Sequence, residues 1–179
     1  MSPFIIRPVR LLLGLALSAS IHPSLLVAQE ANAPVLPEGR AVGVSVGRFY
    51  VGGESLTSLA VQVTELTHGR LGFDLALASS PSLLRVGVGA LAADVGLAFN
   101  VSRPGVSLLP KFGASAVVGA GMGEADGVLG FHLGLGVLFQ AGRDFGVRLD
   151  AVEHRYFEGL SLSVFSISLG LVNLPDRAR

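Results

Sequence analysis

Five residues able to do chemistry stand at alternating positions inside otherwise apolar or glycine-rich runs: Asp74, Asp94, His132, Arg148 and Asp150. Gln62, Thr64 and Asn100 hold equivalent positions in neighbouring runs. Charges held away from bulk water need partners. These residue types therefore make either a network of ion pairs and hydrogen bonds that fills an interior, or a narrow polar path through one. The filled interior is the favoured reading, with Arg148 expected to pair with at least one of the aspartates. A second group, Glu153, His154, Arg155 and Tyr156, is contiguous and mixes acid, base and aromatic. It is read as a polar rim. Ser161 and Ser163 lie near His154 in sequence, and a histidine with a serine and an acid is the set that acyl-transfer chemistry uses.

Strands are the elements that must position these residues. From Gly127 to Gln140, Leu129, Phe131, Leu133, Leu135, Val137 and Phe139 alternate with Gly130, His132, Gly134, Gly136, Leu138 and Gln140. After Ala141-Gly142-Arg143-Asp144, Phe145, Val147, Leu149 and Ala151 alternate with Gly146, Arg148, Asp150 and Val152, and the run ends at Phe157. A period of two sends successive side chains to opposite faces, and the short polar turn predicts a hairpin. One face is large and apolar, and the other is small, polar or charged.

Six more segments have strand character. Three are 41–51, 56–66 and 70–78, and the last two are 111–121 and 160–172. Between them, a fourth ends at Val101 and is clean from Ala93, while residues 83–90 fit either its extension or a loop. The fifth strand is started at Lys111 because Pro110 has no N–H for a ladder. Phase shifts at Val164-Phe165 and near Arg48-Phe49 suggest bulges, or in the latter case the mouth of a barrel. The uncharged run 159–174 is nearly long enough for a membrane helix, but its alternating serines and Pro175 argue for a strand.

Eight strands of about 9–11 residues joined by short turns match the smallest membrane β-barrel, whose lipid-facing and interior residues alternate. Such an interior is only wide enough to be filled by side chains, which explains the 24 glycines. Composition agrees. The 179 residues are 50% hydrophobic and 15% charged, with a mean hydropathy of +0.63, against about 25% charged in ordinary soluble domains. Thirteen basic residues balance thirteen acidic ones, leaving no excess cation for nucleic acid. With no cysteine, disulfides, thiolate metal sites and a lipidated N-terminal cysteine are excluded. No metal-ligand spacing or cofactor motif stands out. Gly119 to Glu124 (GAGMGE) puts a glutamate where a dinucleotide loop needs its third glycine, and no helical pattern follows.

Residues 1–28 read as a secretory signal peptide. Arg7 and Arg10 precede an apolar stretch from Leu11 to Ile21, and Leu26-Val27-Ala28 offers a cleavage site. Residues 29–39 are a polar, proline-containing lead-in, 40–174 the barrel and 175–179 a tail.

The hairpin GFHLGLGVLFQAGRDFGVRLDAVEHRYF resembles the penultimate hairpin of small outer-membrane β-barrel proteins, the class that includes the membrane domain of outer membrane protein A. The resemblance implies an eight-stranded antiparallel up-and-down barrel in a Gram-negative outer membrane. Outer-membrane lipids and the barrel assembly machinery are its expected partners, and the expected form is a monomer. Members often end on an aromatic residue, whereas this sequence ends Asn-Leu-Pro-Asp-Arg-Ala-Arg. The expected role is structural or interaction-based, with a mostly plugged lumen and no catalytic residue, metal or cofactor. Three alternatives stay open: a narrow pore for small solutes, a barrel enzyme acting on lipid acyl chains, and a soluble lipocalin-like binder. The last would turn Phe73, Leu75, Phe131 and Leu133 inward.

Overall fold

The structure, a computed structural model, describes residues 39–66, 71–85, 87–103, 105–121, 124–142, 144–157 and 162–174. The expected signal peptide, the lead-in up to residue 38, the turn at His68-Gly69, Ser161 and the tail from residue 175 lie outside the described residues.

Alternating sequence becomes alternating structure throughout. The strands are β1 (Gly39–Val51), β2 (Glu54–Leu66), β3 (Leu71–Ser79), β4 (Gly89–Phe99), β5 (Val101–Arg103), β6 (Val106–Gly121), β7 (Glu124–Gln140), β8 (Phe145–Tyr156) and β9 (Leu162–Asn173). One short helix, α1 (Pro81–Leu84), lies between β3 and β4. All pairings are antiparallel, each strand pairs with its sequence neighbours except that β4 and β5 do not pair with each other, and β1 pairs with β9 to close the sheet on itself. β4 and β5 are two parts of one stave, because both pair with β6 in one continuous register, Ala98 opposite Lys111 and Val101 opposite Leu108. The nine strands therefore make eight staves, and the fold is a closed up-and-down barrel. With an even number of staves, both ends of the described chain come to one rim, where Val42 pairs with Asn173. β1, β3, β6 and β8 end at the far rim, where β2, β4, β7 and β9 begin.

Several boundaries differ from those the sequence suggests. β6 starts at Val106, not Lys111, and runs straight through Pro110. Pro110 pairs with Leu135 of β7, and the ladder on its other side lapses at Phe99 and Asn100, so the missing N–H falls where no donor is used. Residues 83–90 do not extend a strand except at their end: Leu83 and Leu84 finish α1, a turn follows, and β4 begins at Gly89. No bulge occurs at Arg48-Phe49 or at Val164-Phe165, since the registers of β1 and β9 are unbroken there. The apparent phase shift at β1 arises because an aromatic residue, half-buried Phe49, points inward and Arg48 points outward near the far rim.

The two faces are opposite in chemistry. Phe73, Leu75, Phe131 and Leu133 are 60%, 42%, 48% and 49% exposed on the outside, which overturns the inward placement a lipocalin-like binder needs. Gln62, Asp74, His132, Arg148 and Asp150 are buried inside.

Inward glycines stand opposite larger inward residues of the next stave. Gly43 faces Val172, Gly47 faces Ser168, Gly130 faces Tyr156 and Gly134 faces Val152. Small opposite large is how a narrow interior fills without overlap. Gly96 and Gly113, opposite Asp74 and His132 on one side, face each other on the other. A Cβ on Gly113 would lie 2.1 Å from the Val95 carbonyl oxygen and 2.4 Å from the Gly96 Cα, so the two backbones can curve together only without side chains. Gly113→Ala should destabilise the folded barrel by about 1–3 kcal/mol, the usual scale of overpacking. Gly119→Ala, whose new Cβ has its nearest neighbour at 3.9 Å, should stay within about 0.5 kcal/mol. Urea midpoints of the two refolded variants measure the contrast.

Candidate functional site

The lumen is stacked in four layers, from the rim that holds the chain ends to the far rim. Each layer comes from one level of the staves, since inward positions recur every second residue. The lowest is an apolar cap of Ala41, Leu109, Leu138, Val172 and Leu174, all buried. Leu174 is held there by its amide, which donates to the Asp144 carbonyl at 2.8 Å. Beside it, Ser102 donates to the Asn100 side-chain oxygen at 2.7 Å and shares a 2.8 Å hydrogen bond with Ser107.

Above the cap lies a ring of two cations and two anions. Lys111 Nζ is 3.1 Å from Asp74 Oδ2 and 2.8 Å from Asp150 Oδ1. Arg148 Nη2 donates to Asp74 Oδ1 at 3.1 Å and to Asp150 Oδ1 at 2.9 Å. Thr64 ties the ring together, its hydroxyl donating to Asp74 while accepting from Arg148 Nη1. Arg148 Nε and Asp150 Oδ2 also approach to 2.8 Å, an ion pair too bent for an aligned hydrogen bond. The four charged side chains are 3–5% exposed. Each cation touches both anions, so the ring is neutral as a unit.

The third layer centres on the Ser115 hydroxyl. It donates to Asp94 Oδ1 at 2.6 Å and lies 3.1 Å from His132 Nδ1 and 3.3 Å from His154 Nδ1. His154 Nε2 reaches Ser166 Oγ at 3.2 Å. Asp94, two histidines and Ser115 thus meet at one point, but Ser115 is not placed as the serine of a nucleophilic triad. There the serine and the carboxylate must address opposite nitrogens of one imidazole. Here Ser115 and Asp94 both approach the Nδ1 edge, with Asp94 Oδ1 3.4 Å from His154 Nδ1, so Ser115 is not the nucleophile of such a set. Ser166 and Asp94 do flank opposite nitrogens of His154, but the Ser166 hydroxyl donates to the Val152 carbonyl at 3.4 Å. Ser115 also occupies the centre on which the two imidazoles and the carboxylate converge. Among the described residues, no group of three or more His, Cys, Asp or Glu side chains is arranged to hold a metal ion. The top layer is an apolar hollow at the far rim.

The residues singled out in the sequence are redistributed accordingly. Asp74, Arg148 and Asp150 share the charged ring, and Asp94 and His132 share the serine-centred layer. Gln62 donates to Ser45 Oγ at 3.4 Å across β1 and β2, and Asn100 belongs to the lowest level. The contiguous group Glu153 to Tyr156 does not form one cluster, because consecutive strand residues point to opposite faces. His154 and Tyr156 are buried inside. Glu153 and Arg155 face outward, where Arg155 Nε donates to Glu153 Oε1 at 2.7 Å. Ser163, a candidate partner for His154, also faces out and donates to Glu153 at 3.4 Å.

Sequence reading missed Lys111 and Ser115. Starting the strand at Lys111 left that residue without a face. Once β6 runs through Pro110, the alternation of Leu109, Lys111, Gly113, Ser115 and Val117 with Phe112, Ala114, Ala116 and Val118 puts both residues inside.

No protein-family model and no curated protein matches the sequence. Solved structures do match in shape. The outer membrane protein OprG from Pseudomonas aeruginosa is similar over 81% of this chain and 100% of its own, with a TM-score of 0.58 at 8% identity. Neisserial surface protein A is similar over 76% of this chain and 96% of its own, with a TM-score of 0.58 at 9% identity. The N-terminal β-barrel domain of Pseudomonas aeruginosa OprF is similar over 74% of this chain and 96% of its own, with a TM-score of 0.55 at 8% identity. The fold is that of the small outer-membrane β-barrels. At identities this low the likeness extends to the fold alone, so the layered lumen must be read from this chain's own residues.

Breaking the charged ring at one point strands a buried charge. Asp74→Asn should destabilise the barrel by about 3–5 kcal/mol. Adding Lys111→Met, which restores the balance of charge, should recover part of that loss. Urea midpoints of the single and double variants, compared in the same detergent, measure it.

Proposed function

We propose that the protein is an outer-membrane β-barrel with a sealed lumen and a structural or interaction role, without catalysis. The observation that carries the seal is the ring of Lys111, Asp74, Arg148 and Asp150, which links β3, β6 and β8 across the interior above an apolar cap. A hydrated ion moving along the axis would have to part these pairs and then cross Leu109, Leu138 and Leu174. Ser115, placed on the carboxylate side of both imidazoles, and Ser166, whose hydroxyl donates to the Val152 carbonyl at 3.4 Å, support a structural use of the third layer over acyl transfer.

The outer surface supports the membrane setting. On β1, Val42, Val44 and Val46 face outward between Arg40 and Arg48, a span of about 20 Å along the axis for strands tilted about 40°. Arg40 pairs with Glu65 at 3.5 Å near one rim. Near the other, Arg48 donates to Ser55 at 3.2 Å and Arg155 pairs with Glu153. Between these collars the outward residues of β3, β7 and β9 are Leu, Phe, Val and Ile. Long arginine stems extend such a band toward the roughly 25 Å of a barrel in a bilayer. Phenylalanine pairs, Phe99 on Phe112 and Phe131 near Phe157, lie toward the two rims in place of tryptophan girdles. On this reading residues 1–28 direct export, and the partners are outer-membrane lipids and, during insertion, the barrel assembly machinery.

Single-channel recording in planar bilayers tests the seal. Refolded wild-type protein should give no discrete conductance steps above the bare-bilayer leak. Reproducible steps from the wild-type barrel would replace the sealed lumen with a narrow pore.

A further inference from the structure

The far end of the lumen differs in kind from the sealed levels beneath it. Above the serine-centred layer is a cavity of about 170 Å³. Its wall includes Phe49, Val51, Val117, Tyr156, Leu162 and Val164 and carries no charged side chain. An apolar cavity of about 150 Å³ in another protein stays dry and takes up benzene. Space of this size and lining therefore suits an uncharged molecule of roughly six to eight heavy atoms better than water or an ion.

Among the described residues of the wall, Tyr156 carries the one side-chain polar group without a hydrogen bond. The residue is 3% exposed, and its ring stacks on His154 at 6.1 Å with 3° between the planes. Phe49 meets the same imidazole edge-on at 6.4 Å. The two aromatic residues and His154 thus form a rigid floor. A buried tyrosine hydroxyl ordinarily finds a hydrogen-bond partner, yet this one donates to no described residue. The other polar side chains of the wall are committed: Ser79 donates to the Ala90 carbonyl at 3.0 Å, and Ser80 shares a 2.8 Å hydrogen bond with Ser82. The wall therefore offers one donor and calls for one acceptor.

We propose that this cavity is a binding site for a small, uncharged, mainly apolar molecule with a single hydrogen-bond acceptor, of the class of short-chain ketones, with the Tyr156 hydroxyl donating to its carbonyl oxygen. The serine-centred layer and the paired charges lie beneath the site, so it holds a ligand and does not pass it through.

The chain has two tyrosines and no tryptophan, so in a Tyr50→Phe background the emission of refolded protein comes from Tyr156 alone. Titration with 2-heptanone should give a saturable change in that emission. Ala92→Leu, or Ala78→Leu should the first fail to fold, fills the cavity and should leave only linear quenching. Saturation-transfer NMR on Tyr156→Phe, which keeps the cavity but removes the donor, should show affinity for 2-heptanone weakened about three- to tenfold, the scale of one neutral hydrogen bond. Linear quenching identical in the parent and the filled variants would overturn the site. Unchanged affinity in Tyr156→Phe would overturn the role of its hydroxyl.

Discussion

The width of an eight-stave barrel governs everything inside this molecule. Eight strands close around a space little wider than the side chains it holds, so every inward position is constrained by its neighbours on the adjoining staves. Gly43, Gly47, Gly130 and Gly134 are small because Val172, Ser168, Tyr156 and Val152 lie beside them. The Gly96–Gly113 contact shows the same limit at its extreme, where two backbones meet with no room for a methyl group. Narrowness also forces the charges together. Lys111, Arg148, Asp74 and Asp150 come from three different staves, yet each cation reaches both anions within 3.1 Å.

That enforced proximity sets the energetics. A lone buried charge is strongly unfavourable, and two pairs sharing partners compensate each other only while all four are present. The network bridges β3, β6 and β8, so it fixes their relative level across the lumen. The apolar cap below and the serine-centred layer above leave it little access to water. Polarity thus runs inside and hydrophobicity outside, the reverse of a water-soluble domain. A single backbone alternation produces both faces, so neither can change without the other.

Much of this was legible because a strand's period of two is the simplest pattern a sequence carries. The glycine-alternating hairpin of β7 and β8, the inward Asp74, His132, Arg148 and Asp150, and the number of staves follow from alternation alone. The failures have local causes. Pro110 read as a terminator because a barrel has no free edge, but the ladder lapses beside it and makes room. Phe49 and Val164 read as bulges because large inward residues are unexpected in a narrow lumen, but they sit at the far end, where they line the apolar hollow. Contiguity misled at Glu153 to Tyr156, where strand geometry separates neighbours. The serine-centred layer was not legible, since Asp94, Ser115, His132 and His154 come from four staves and meet only through register.

The most direct test of the central claim exploits the absence of cysteine from the chain. Single cysteines at Leu75, Leu133 and Arg155 would be refolded into lipid vesicles and exposed to a membrane-impermeant maleimide. The account predicts prompt labelling at position 155, in the charged collar, and protection at positions 75 and 133 until the protein is denatured. Equal labelling at all three positions in intact vesicles would contradict it, because the apolar face would then be open to water.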